Sequence, residues 1–123
     1  WMISPTLQLT RFPLPSLRLD QILRYKANQG VKIFILLYKE VEMSGLGNDS
    51  FRCKNYLESL HPRNICVIRH PNKLIGGSTA ILWSNHEKIV VVDRKIGFAG
   101  GVDPCYGRWD DEHHTLVDST GLK

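Results

Sequence analysis

Between two stretches of helical periodicity lies the run VKIFILLY, residues 31–38, and few folds can hold it. Its apolar part, residues 33–38, is the longest in the chain and far too short to cross a bilayer as a helix. Rich in Ile and Leu with a Phe and a Tyr, it reads as a buried strand. Upstream, residues 17–30 place Leu19, Ile22, Leu23 and Ala27 at helical spacing, and Gly30 stands where a helix stop is expected. Downstream, SGLGND (44–49) reads as a loop in which Asn48, Asp49 or Ser50 caps a second helix over 51–60. That helix ends at the His61-Pro62 pair. ICVIRH (65–70) is a further strand, and PNKLIGGS (71–78) a loop. Residues 79–93 and 95–101 complete the set as strands, with Asp93, Arg94 and Lys95 turning between them. At the other end, WMISP resembles the end of a strand running into a proline turn, and FPLPS (12–16) a loop. Strands alternating with helices predict an α/β layered fold with a largely parallel sheet. Neither an internal repeat nor a low-complexity tract is present.

The length of 123 residues suits one domain with a core, and 42% hydrophobic with 23% charged residues is ordinary globular material. The chain opens on Trp1 with no charged-then-apolar leader, so it is expected to be a piece cut from a longer protein, truncated at both ends. The net charge of +4 suits an anionic partner such as a phosphate ester, a lipid headgroup or a nucleic acid. The basic residues are scattered, which argues against a nucleic-acid tail. Cys53, Cys66 and Cys105 show no C-x-x-C spacing, which argues against a zinc ribbon or a disulfide framework and fits a reducing compartment.

Candidate chemistry concentrates in SNHEKIVVVD, 84–93. On a strand, His86 and Lys88 point to one side and Glu87 to the other. Asp93 has the opposite parity to His86. It must reach the histidine from the turn or belong to another cluster. An imidazole beside an ammonium suits a phosphate: the lysine neutralises oxygens, and the histidine attacks phosphorus or shuttles a proton. A solvated pair at a strand entrance is the plainer alternative. A zinc-protease pattern is excluded, because no second histidine follows His86-Glu87 at position 89 or 90.

HEKIVVVD, with H-x-K, four residues and Asp, resembles the HKD signature of the phospholipase D superfamily. GFAGGVD follows where that family carries a Gly-Gly/Ser-x-Asn/Asp element. WMISP, GVKIFILLYKE and YGRWDDEHH are similar to segments of the eukaryotic phosphatidylcholine-hydrolysing enzymes, so the resemblance runs from Trp1 to about Asp118. It implies a phospholipase D-like layered fold, half of a bilobal catalytic unit, with residues 1–123 a single partial domain carrying the first HKD motif. It implies a catalytic set of His86, Lys88 and Asp93. His86 would form a phosphohistidine, Lys88 would stabilise phosphoryl charge, and Asp93 would support the histidine or the motif's structure. Lys88, Gly100, Gly101 and Asp103 would bind substrate phosphate, Asp103 standing where many relatives have Asn.

By the same resemblance, no metal or other cofactor is expected for the chemistry, and phosphatidylinositol bisphosphate is expected as an activator. The partners implied are a phospholipid membrane surface, the second HKD half of the same chain and small GTPases, with no nucleic acid. The location implied is cytoplasmic, peripheral on membranes. Tyr106 and Trp109 could line a lipid-facing loop or simply pack. His113 and His114 beside Asp110, Asp111 and Glu112 suggest metal ligands at first sight, but a loop role is preferred. Lys39 and Glu40 could sit at the ligand-binding edge of a sheet or form a surface ion pair. Cys105 is expected to be structural. With one motif only, two rivals stand: a homodimeric superfamily phosphodiesterase acting on nucleic acid, and a catalytically silent fragment.

Overall fold

The computed structural model describes residues 2–10, 17–40, 49–71, 86–108, 110 and 112–114. They form helix α1 (Leu19–Asn28), strand β1 (Ile33–Tyr38), helix α2 (Ser50–Leu60) and strands β2 (Ile65–His70), β3 (Lys88–Val92) and β4 (Ile96–Gly100). β1 and β2 are parallel, with Ile33 opposite Ile65 and Leu37 opposite Arg69. β3 and β4 form a separate antiparallel ladder. The α/β class read from the sequence stands, with one parallel and one antiparallel pair among the described residues.

Strand parity decides where the core lies. Odd-numbered positions of β1 and β2 face the helices, where Leu37, Ile65 and Val67 bury together with Ala27 of α1 and Cys53 and Leu57 of α2. Even-numbered positions turn the other way, leaving Phe34, Leu36 and Ile68 exposed. α2 also closes the outer edge of β2. The Glu58 carboxylate accepts the Val67 N–H at 3.0 Å, while Lys54 Nζ donates to the Val67 carbonyl at 2.5 Å and to Glu58 Oε1 at 2.6 Å. Both backbone groups of Val67 on that edge are thus taken by side chains and are not open to another strand.

Two local expectations change. Residues 2–4 are not a strand; only the turn at Pro5 and Thr6 is as read. The cap of α2 also differs. Asp49 is the N-cap, held at φ +50°, but its side chain makes no capping hydrogen bond. Instead Glu40, just beyond β1, accepts the Ser50 N–H at 2.9 Å and the Ser50 hydroxyl. The sequence rule weighs only neighbours along the chain, whereas a buried carboxylate from another element meets the same orphan donor. The expected loops at 12–16, 44–48 and 72–78 and the strand start at 79–85 lie outside the described residues.

α1 and α2 are tied through Asp20. Its carboxylate, 4% exposed, accepts from Arg18 Nη2 at 2.6 Å, Arg18 Nε at 3.1 Å, the Tyr56 hydroxyl at 2.6 Å and the Gln21 N–H at 2.8 Å. Burial, the largest single influence, pushes the acid's pKa up. The hydrogen bonds from Arg18, Tyr56 and Gln21 outweigh it, and the net shift is downward.

Candidate active site at the open end of a hairpin

The β3–β4 hairpin sets the site. Its tight turn puts Asp93 at φ +52° and Arg94 at φ +57°, and the Lys95 N–H closes it on the Val92 carbonyl at 3.0 Å. Positive φ at both central positions is the sense that matches strand twist, and an aspartate tolerates it better than most residues. The two strands run back from this turn, and Lys88 pairs with Gly100 at the far, open end. His86 and Glu87 stand just before β3 and are exposed.

At that open end the Lys88 side chain is only 8% exposed. Its ammonium donates to the His86 carbonyl at 2.6 Å and lies 3.7 Å from Oδ1 of the buried Asp103. Asp103 in turn accepts the Met2 N–H at 3.2 Å. The contact belongs to a longer seam. The Ser4 N–H donates to the Pro104 carbonyl at 2.9 Å, and the Tyr106 hydroxyl donates to the Thr6 carbonyl at 2.7 Å. Residues 2–6 thus form a strap along residues 103–106, and the Cys53 thiol of α2 meets the same strap at the Ile3 carbonyl, 3.5 Å away. Beside the lysine, a Cβ on Gly100 or Gly101 would meet no atom of the described residues within 4 Å, and neither residue has positive φ. Among the described residues neither packing nor backbone conformation requires glycine at these positions, and a bare backbone is what a closely approaching ligand needs.

The structure therefore brings Lys88, Gly100, Gly101 and Asp103 to one place, with His86 at its mouth. Asp93 is elsewhere. It lies five positions along the chain from Lys88, about 16 Å at ~3.3 Å per residue, and it is exposed in the turn. Of the two alternatives left by parity, reaching His86 from the turn does not occur: the turn lies at the closed end of the hairpin and His86 at the open end.

The Phospholipase D family model matches residues 1–122. The chain belongs to the phospholipase D family. It is 49% identical over 125 residues to human phospholipase D1, 48% identical over 121 residues to phospholipase D zeta 2 of Arabidopsis thaliana, and 43% identical over 120 residues to phospholipase D1 of Schizosaccharomyces pombe. These alignments cover 100%, 96% and 96% of this chain but only 11%, 11% and 8% of the relatives. The chain thus spans about a tenth of the length of the phospholipases D it matches.

The remaining candidates in this phospholipase D chain take their places. Tyr106 is partly exposed, but its hydroxyl is tied to Thr6, so it secures the strap; Trp109 lies outside the described residues. His114 Nδ1 sits 3.0 Å from both carboxylate oxygens of Asp110, and His113 Nε2 lies 3.8 Å from Glu112. All four are exposed, and no cluster of three or more potential metal ligands occurs among the described residues. Cys105 is buried, and burial raises its thiol pKa despite hydrogen bonding with Ser4. Cys53 is pushed up to about 11, chiefly by burial. Such thiols stay protonated at neutral pH and are poor nucleophiles.

Glu40 is a buried partner of Ser50 and Arg69 rather than a surface ion pair or an open ligand edge. The strap and the Asp20 cluster were not found from the sequence. The strap joins residues about 100 positions apart, and its own side of these contacts is the backbone of residues 2–6, which leaves no mark on residue type there. The Asp20 cluster had one local signal, an aspartate in the first turn of α1.

Proposed function

We propose that this chain is the first catalytic half of a phospholipase D that hydrolyses phosphatidylcholine to phosphatidic acid and choline. Support comes from the family match along the chain. The observation that carries the reading is the open end of the hairpin, where a buried ammonium stands beside two open glycines and next to His86.

In this reading an imidazole nitrogen of His86 attacks phosphorus. An N–P bond forms and the P–O bond to choline breaks, with the choline oxygen taking a proton from an acid on the second HKD half, elsewhere in the parent chain. Water then attacks the phosphohistidine, giving its proton to the second-half group that had protonated choline, and the N–P bond breaks, releasing phosphatidic acid and restoring both groups. A primary alcohol in place of water gives a phosphatidylalcohol. Lys88 supplies positive charge to the non-bridging oxygens as charge develops in the transition state. The Gly100 and Gly101 backbone lets the phosphate come close. Asp93 supports the motif through the hairpin turn. The parent acts at a cytoplasmic membrane face, stimulated by phosphatidylinositol bisphosphate and small GTPases. No helix of the described residues is long and apolar enough to cross a membrane.

The test is transphosphatidylation by the parent protein, with phosphatidylcholine, a primary alcohol and phosphoinositide present. Phosphatidylalcohol is expected, and His86→Asn should abolish it. Absence of product from the intact parent would refute the reading.

A further inference from the structure

We infer that Asp103 is a positioning residue: it holds the Lys88 ammonium at the phosphate site and does not itself touch phosphate. The inference rests on the phosphodiesterase reading above and adds to it how the lysine is held. A carboxylate presents only acceptors, and so do the non-bridging oxygens of a phosphodiester, so the two repel. The carboxylate instead faces the Lys88 ammonium, 3.7 Å away, with side chains 5% and 8% exposed. Lysine is a flexible four-carbon stem, and such a charge serves a transition state only if its position is fixed beforehand.

Fixing it takes two further contacts. The His86 carbonyl accepts from the ammonium at 2.6 Å, which ties lysine and histidine to one local geometry. The Met2 N–H donates to the same Asp103 oxygen that faces Lys88, at 3.2 Å. That oxygen therefore sits between the strap and the lysine. The strap is itself anchored. The Asp20 N–H at the start of α1 donates to the Pro5 carbonyl at 2.8 Å, and Ser4 binds Pro104. The position of Lys88 is in this way referred to the packed helices through residues 2–5, not only to its own strand.

The proposal separates from a direct substrate role by coupling. If Asp103 acts through Lys88, its replacement should matter only while the native lysine is present to be held. In the full-length parent, Asp103→Asn is expected to lower kcat about tenfold or more while KM changes less than about threefold, the pattern of an interaction felt mainly in the transition state. Asp103→Glu, which keeps the charge on a longer arm, should recover part of the loss. Placed on Lys88→Arg, Asp103→Asn should cost less than about twofold, because coupled residues are non-additive.

Equal losses from Asp103→Asn in the native and the Lys88→Arg backgrounds would overturn the proposal. So would a change confined to KM, or activity within about twofold of the unaltered enzyme. His86→Asn, run alongside, separates the two levels. Turnover that survives it defeats the phospholipase reading and this role together. Turnover that depends on His86, with additive losses at Lys88 and Asp103, defeats this role alone.

Discussion

Replacing Glu40 by alanine removes one carboxylate from three partners at once. The Ser50 N–H, at the first residue of α2, loses its acceptor, and the Ser50 hydroxyl loses its partner. The Arg69 guanidinium, whose Nη2 lies 3.8 Å from the carboxylate and finds no hydrogen-bond acceptor among the described residues, is left buried without counter-charge. Breaking a buried ion pair from one side costs about 3–5 kcal/mol, and loss of a helix cap alone about 1 kcal/mol. These overlap, so about 3–5 kcal/mol is expected in all, a large part of the ~5–15 kcal/mol that holds a domain together. Arg69 retains its Ser50 hydrogen bond at 2.7 Å and its place over the Phe51 ring, which limits the loss to that range. With a urea slope of about 1–3 kcal/mol per molar, the unfolding midpoint should fall by more than about 1 M. Far-UV circular dichroism of the purified chain measures it. Glu40→Gln, which keeps an acceptor for Ser50, should lose less. A midpoint within a few tenths molar of the unaltered chain would refute the reasoning, since it would mean that neither the cap nor the pair contributes.

Other outcomes follow from the same structure. Leu57 is fully buried at the centre of the core, and Leu57→Ala should cost about 2–5 kcal/mol in the same titration. The carboxylates of Asp20, Glu40 and Glu58 all have folded pKa values below their ordinary ones; burial is the largest influence on Asp20 and Glu40 and opposes that shift, while for Glu58 the Lys54 hydrogen bond leads it. Their stabilisation is therefore complete above the unfolded values of roughly 4 and is lost as pH falls through the folded ones, so the urea midpoint should drop steeply below about pH 4 and stay flat between about pH 5 and 7. Asp93→Gly should leave the hairpin intact, because glycine accepts positive φ freely. Parent turnover should survive it far better than His86→Ala, and equal loss from the two would place Asp93 in the chemistry itself.

How far the sequence could be read depended on whether a contact was local. VKIFILLY and ICVIRH were legible as strands because apolar run length and flanking helical periods are properties of neighbouring residues, and β1 and β2 fall within them. The turn at Asp93, Arg94 and Lys95 was legible for the same reason. His86 and Lys88 were legible through spacing, and the placement of Lys88 opposite Gly100 follows from the hairpin. Asp93 shows the limit: parity excluded a straight-strand contact with His86 and the turn was legible, but only the hairpin pairing showed that the turn and the histidine lie at opposite ends. The cap of α2 and the strap that holds Asp103 were illegible. Both depend on backbone donors meeting distant groups, across 10 residues in one case and 101 in the other, and every residue type but proline carries such donors. Glu40 stood in the sequence as a ligand-edge candidate or half of a surface ion pair, because burial is set by what packs around it.

The central claim is that His86 is the nucleophile of a phosphatidyl transfer. The most direct measurement is formation of phosphatidylalcohol by the full-length parent from phosphatidylcholine and a primary alcohol, compared with His86→Asn at matched folding. The account predicts product from the parent and at least about a thousandfold less from the variant, the scale of losing a covalent nucleophile. Near-equal product from both would contradict it.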